Sequence, residues 1–115
     1  MEFIIDVIKL KDEGLKDSFE SWVEEVDYVT CGRLQSVLEF SVHEVQPSDG
    51  GGETATGGDY LEIIGVTSRD EFAAEMATET FQSLVRQFSE FAEVTATVHL
   101  DRLGTGYHSM QEWGK

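Results

Sequence analysis

The stretch Asp27-Tyr28-Val29-Thr30-Cys31-Gly32-Arg33-Leu34-Gln35-Ser36-Val37-Leu38-Glu39-Phe40-Ser41-Val42-His43-Glu44-Val45 joins an amphipathic helix to an alternating strand. Thr30 and Gly32 disfavour further helix, and Gly32 can take the left-handed conformation of a chain reversal. From Ser36 to Val45 the period becomes two, with Leu38, Phe40 and Val42 facing one way and Glu39, Ser41 and His43 the other. The same stretch holds the one cysteine, Cys31, together with Tyr28 and His43. Reactive side chains where a helix stops and a strand begins predict an α+β domain with a pocket at this junction.

Upstream, Leu15, Phe19, Trp22, Val23 and Val26 fall on one helical face over about 15–27, and Asp17, Glu20, Glu24 and Glu25 cover the solvated remainder. Before a turn at Lys11 to Gly14, Glu2 to Leu10 reads as a strand apolar on both faces. Asp6 interrupts it, either as a solvated position or as a carboxylate inside a cavity, where burial raises its pKa. Downstream, Gln46 to Asp59 is a flexible glycine-rich hairpin loop. Its Gly50-Gly51-Gly52 lacks the Lys or Arg and the following helix of a phosphate cradle. Tyr60 to Val66 is the third strand. Ser68 and Glu71 are spaced as a capping box, and Thr78 marks a second cap or a kink. Phe81, Leu84, Val85 and Phe88 resume the helical period as a core-like stripe. Glu93 to Leu100 is the fourth strand, with Val94, Ala96, Val98 and Leu100 alternating with Thr95, Thr97 and His99.

The order is βαββαβ, and the right-handed crossover rule closes it as a ferredoxin-like antiparallel sheet over residues 1–103, followed by a tail at 104–115. Helices cover one face of such a sheet. The other, mixed in composition, predicts a homodimer packed sheet to sheet across a twofold axis.

With 115 residues the chain is one domain. Its formal net charge of -15 argues against nucleic acid and against anionic membrane surfaces. The charge serves solubility, or else a field that attracts cationic ligands. A single cysteine suits a reducing compartment, and Met1 to Asp6 has neither the basic region nor the length of a signal peptide, so the cytoplasm is expected.

Asp27-Tyr28, Thr30-Cys31, Leu34, Ser36-Val37, Phe40 and Val42 resemble the signature of the RedY-like (HapK/RedY) family. The likeness continues through Tyr60, Glu62, Ile64, Val66, Ser68, Phe72, Met76, Thr78, Phe81, Leu84-Val85 and Phe88, and ends at Leu103-Gly104 and Gly106-Tyr107. The resemblance implies a dimeric α+β barrel. It implies a place in bacterial prodiginine or tryptophan-dimer (bisindole) biosynthesis. The wider superfamily includes cofactor-free monooxygenases, cyclases and dehydratases acting on aromatic intermediates. The 46–59 insertion and the tail beyond Tyr107 depart from the pattern, which leaves the substrate open.

No metal or cofactor is expected. His43, His99 and His108 lack the paired spacing of a zinc site, and neither a dinucleotide fingerprint nor a nucleophile elbow is present. Acid-base chemistry on a bound aromatic molecule is what is left. The proton-moving candidates are His43, His99 and Glu62, the last flanked by apolar neighbours that would raise its pKa. Tyr28 and Cys31, at the junction, are further catalytic candidates. Cys31 is either a buried small hydrophobe or a nucleophile activated by Arg33. Phe40, Tyr60, Trp22 and Tyr107 are candidates for the aromatic wall, although Trp22 also reads as core and Tyr107 as part of a tail tied to a partner subunit. Three readings follow. The first is a cofactor-independent lyase or cyclase steering a reactive indole or pyrrole imine. The second is a cofactor-free monooxygenase. The third is a non-catalytic protein that shields an unstable intermediate.

Overall fold

The computed structural model describes residues 1–47, 56–107 and 109. Most of the 46–59 loop, and His108 and Trp113 in the tail, lie outside them. Four strands, β1 (Glu2–Leu10), β2 (Val37–Glu44), β3 (Tyr60–Val66) and β4 (Ala92–Asp101), form one sheet in the order β2-β3-β1-β4. Every neighbouring pair is antiparallel, as in the ferredoxin-like arrangement the period pattern predicts.

The first helical segment is longer than its composition implies. It opens at Asp12, whose Oδ1 accepts the Gly14 N–H at 2.8 Å. It runs through α1 (Lys16–Trp22), a π-helical turn (Val23–Asp27) and α2 (Tyr28–Cys31). Gly32 takes a right-handed φ of -64°, not the left-handed value expected. The chain leaves the helix in tight turns, Arg33 N–H to Thr30 C=O at 3.1 Å and Leu34 N–H to Cys31 C=O at 3.1 Å. The second helical segment is split into α3 (Arg69–Met76) and α4 (Glu79–Phe88). Ser68 Oγ accepts the Glu71 N–H at 3.1 Å and Thr78 Oγ1 accepts the Phe81 N–H at 3.4 Å, so both expected caps form.

All the helices pack on one face of the sheet. Ile8, Phe19, Trp22, Val23, Cys31, Tyr60, Leu84 and Ala92 make one core cluster, and Ile4, Ile64, Val66 and Phe72 a second. Two bulges decide which side chains face it. In the β2–β3 ladder the register shifts between Val37 and Glu39. Val37 therefore packs on the core, while Leu38 is turned outward and is 55% exposed, against the strict alternation expected. In the β1–β4 ladder the register shifts between Val7 and Ile8. Val94 pairs with Ile8 on the helix side, whereas Ala96, Val98 and Leu100 pair with Val7, Ile5 and Phe3 on the open side.

The open face is consequently more apolar than the sequence suggests. Phe3, Ile5, Val7, Leu61, Ile63, Ala96, Val98 and Leu100 share it with Glu39, Ser41 and His43, while Thr97, His99 and Glu62 belong to the helix side. Among the described residues no helix is long and apolar enough to cross a membrane.

Candidate functional site

Between the sheet and the helices lies a cavity of about 430 Å³. Its walls are largely apolar, with Trp22, Phe40, Ile64, Phe72, Met76, Phe81, Leu84 and Phe88 among the lining side chains. Phe72 and Phe81 meet edge to face at 5.6 Å. The Phe stripe thus does two things at once: it closes the core and lines the cavity. Lys11 and Ser89 are joined at the rim by a bond from the Lys11 ammonium to the Ser89 carbonyl.

Four carboxylates line this space: Asp6 from β1, Asp27 from the π-helical turn, Glu62 from β3 and Glu93 from β4, of which Glu93 is exposed and the other three are buried or half-buried. Glu62 occupies the helix-facing side of its strand between Tyr60 and Ile64, and burial, reinforced by the charges of Asp27 and Asp6, pushes its pKa well up. Asp27 is only 8% exposed. Burial raises it to about 6, against the pull of its hydrogen bond from Cys31. Burial also raises Asp6, opposed by a hydrogen bond from Thr97 Oγ1 at 2.7 Å and by His99. Among the described residues, no group of three or more His, Cys, Asp and Glu side chains has the geometry to hold a metal ion.

Cys31 is buried beside them and its Sγ–H donates to Asp27 Oδ1 at 3.5 Å. Burial, then Asp27 and Glu62, hold the thiol far above its ordinary pKa. Among the described residues no cation lowers it, and Arg33 is exposed. A thiol kept protonated in this way is a proton donor to Asp27 and not an activated nucleophile.

The other sequence candidates scatter. His43 lies on the open face, opposite Leu61, with its Nε2 2.8 Å from Ser41 Oγ, and so points away from the cavity. His99 is on the helix side near Asp6 but is exposed at the β4 edge. Tyr28 stands at a second, smaller pocket of about 200 Å³. Its hydroxyl accepts the Val42 N–H at 2.9 Å. Tyr60 is core, packed 5.0 Å from Phe19, and its hydroxyl turns to the smaller pocket, where it donates to Glu20 Oε2 at 2.6 Å. Trp22 and Phe40 do line the main cavity. Trp22 Nε1–H is satisfied by Gln87 Oε1 at 2.9 Å. Tyr107 is 89% exposed. It follows Gly104 and Gly106, whose positive φ of 61° and 67° turns the chain there.

Asp27 is the buried cavity carboxylate that sequence reasoning passes over as a site candidate, although a signal was present. Phe19, Val23, Asp27 and Cys31 recur at intervals of four, and all are buried. At 3.6 residues per turn, steps of four drift by about 40° each, so a stripe this long leaves a straight α-helix face. The wide π-helical turn takes up the drift and keeps Asp27 and Cys31 aimed inward. Such turns are frequent at functional sites.

The family model described as REDY-like protein HapK matches residues 2–103. The chain is similar to the crystal structure of HapK from Hahella chejuensis, with 41% identity over 95% of this chain and 99% of that one, at a TM-score of 0.83. It shares its fold with SnoaB, a cofactor-independent oxygenase from Streptomyces nogalater, at 13% identity and a TM-score of 0.67 over 90% of this chain and 94% of that one. Rv0793 from Mycobacterium tuberculosis has the same fold at 11% identity and a TM-score of 0.63, over 93% of this chain and 100% of that one. The search of curated proteins returns no match.

Proposed function

The chain belongs to the REDY-like HapK family, and from that premise we propose that it is a cofactor-independent enzyme of bacterial aromatic secondary metabolism. Its substrate is a reactive imine or carbinolamine built from indole or pyrrole units, which it steers by proton transfer through dehydration, cyclisation or rearrangement. The observation that carries this reading is the set of three buried or half-buried carboxylates, Asp6, Asp27 and Glu62, facing a largely apolar, aromatic cavity. Aromatic walls suit a flat heterocycle. Carboxylates favour a substrate that is positive, or becomes positive at nitrogen, and the acidic chain as a whole adds to that field.

The carboxylates also divide the labour. Burial and the neighbouring charges of Asp27 and Asp6 favour the protonated form of Glu62, which can donate, while Asp27, at about 6, is mostly ionised at pH 7 and can accept. In a dehydration, Glu62 protonates the leaving hydroxyl, water departs, and Asp27 takes the proton released from nitrogen or carbon. The cycle closes when Asp27 sheds that proton and Glu62 regains one. A cofactor-free oxygenase instead needs a substrate anion to meet O₂, and three carboxylates disfavour that anion. The fold likeness to SnoaB does not outweigh this.

The test is the product distribution from an unstable indole or pyrrole imine. Glu62→Gln and Asp27→Asn should each cost on the order of 10²- to 10⁴-fold in the directed product while leaving the protein folded. Cys31→Ser should keep most of the turnover. Stoichiometric oxygen uptake would establish the oxygenase in its place. Tight binding with an unchanged product distribution would identify a shielding protein.

A further inference from the structure

Directly across the sheet from Glu62 on β3 stands Asp6 on β1, and directly across from Asp6 stands Thr97 on β4. The row lies on the helix-facing side, where Glu62 and Asp6 both line the cavity. Residues directly opposite in an antiparallel pair have Cβ atoms about 4.5–5.5 Å apart, and two like charges so placed destabilise the ladder. The largely apolar wall on the Glu62 side of the row weakens screening by water.

We propose that Asp6 and Glu62 act as one carboxylate pair holding a single proton, which rests on Glu62 because Thr97 donates to Asp6. The Thr97 hydroxyl, 2.7 Å from Asp6 Oδ1, occupies one Asp6 oxygen as an acceptor and so favours the ionised form there. His99, on the same side of β4, acts in the same direction. Asp6 in turn disfavours ionisation of Glu62. Among the described residues, the other titratable or charged groups around the pair are Asp27 and the neutral thiol of Cys31 from the helix, with Lys11 and Glu93 lining the cavity. Asp6 is therefore a positioning residue: it keeps the acid protonated and draws a proton back once Glu62 has given its own away. Loss of the Glu62 proton leaves two adjacent anions, and their repulsion drives uptake of one proton from solvent, so each turnover is balanced. The use of the pair in turnover rests on the acid-base reading above, whereas the pair itself can be tested without substrate.

The experiment is a carboxyl ¹³C NMR titration of the full chain. In Asp6→Asn the Glu62 midpoint should fall by on the order of one pH unit or more, as for groups that share a proton. In Glu62→Gln, where a neutral amide replaces a neutral acid, the Asp6 midpoint should stay nearly where it is, and in Thr97→Val it should rise. A Glu62 midpoint unchanged in Asp6→Asn overturns the pair. The pH profile of product formation supplies the second readout. Wild-type activity should be lost as pH rises through the Glu62 midpoint, and Asp6→Asn should move that loss to lower pH. Coupled titrations with an unmoved profile would support the pair and reject Glu62 as the acid.

Discussion

Asp27 is placed where a carboxylate costs stability. Its folded pKa of about 6 stands above the ordinary 3.8, so the unfolded chain releases this proton first as pH rises. Its contribution is then neutral below pH 3.8 and increasingly unfavourable up to about pH 6, where the loss levels off. At 1.36 kcal/mol per pH unit the full cost is about 3 kcal/mol. Asp27→Asn, which keeps an acceptor for the Cys31 thiol, should match the wild type near pH 4 and exceed its unfolding free energy by up to about 3 kcal/mol at pH 7. Chemical denaturation at the two pH values checks this, and equal stability at pH 7 would mean that Asp27 is not desolvated. The same substitution should abolish directed product formation. A variant that is more stable yet inactive is what a functional carboxylate predicts.

At the scale of elements, Tyr28 belongs to the architecture of a strand edge. β2 is the outermost strand on its side of the sheet, so Val42 has no strand partner for its outward backbone groups. The Tyr28 hydroxyl accepts the Val42 N–H at 2.9 Å, and its ring meets Phe40 edge to face at 5.6 Å. It therefore fastens the helix containing the π-helical turn to the strand whose Phe40 lines the cavity. Tyr28→Phe keeps the ring contact and loses the hydrogen bond, which should cost about 1 kcal/mol. Hydrogen exchange at the Val42 amide should accelerate, with little change in turnover. A severe loss of turnover from a stable Tyr28→Phe protein would return Tyr28 to the chemistry. The π-helical turn works in parallel with this clamp, because it sets the direction of Asp27 while Tyr28 sets the distance from helix to strand.

For the whole molecule, the open face of the sheet is the unresolved debt of a small domain. A protein of this size buries only about two-thirds of its unfolded surface. Val98 and Leu100 are nevertheless 47% and 42% exposed on a face shared with Phe3, Ile5, Val7, Leu61 and Ile63. A second copy packed sheet to sheet is the proposed cover. Light scattering after size exclusion should give about twice the 12.9 kDa chain mass. Val98→Asp combined with Leu100→Asp should give a monomer with a lower melting temperature. A wild-type monomer at micromolar concentration would overturn the dimer. In the proposed dimer His43, exposed on that face, lies at the subunit contact and not at the cavity.

Local information settled the elements of this protein. The bounds of β1 and β3, the caps at Ser68 and Thr78, the apolar helical stripes and the face that Glu62 shares with Tyr60, Ile64 and Val66 all follow from periods and capping residues a few positions apart. Those signals act over a turn of helix or a few residues of strand, which is why they can be read without the fold. The site needed longer range. Asp6 and Glu62 are distant in sequence and meet only through the β1–β3 register. The two bulges turn Leu38 outward and Val94 inward against a uniform alternation. Asp27, polar in composition, faces inward because one wide helical turn redirects it. His43 and Glu62 look equally eligible as residues on alternating strands, and the side of the sheet covered by helices separates them. Register, bulges and the choice of covered face are set by pairing and packing between segments, so only the tertiary structure decided which acids share one cavity.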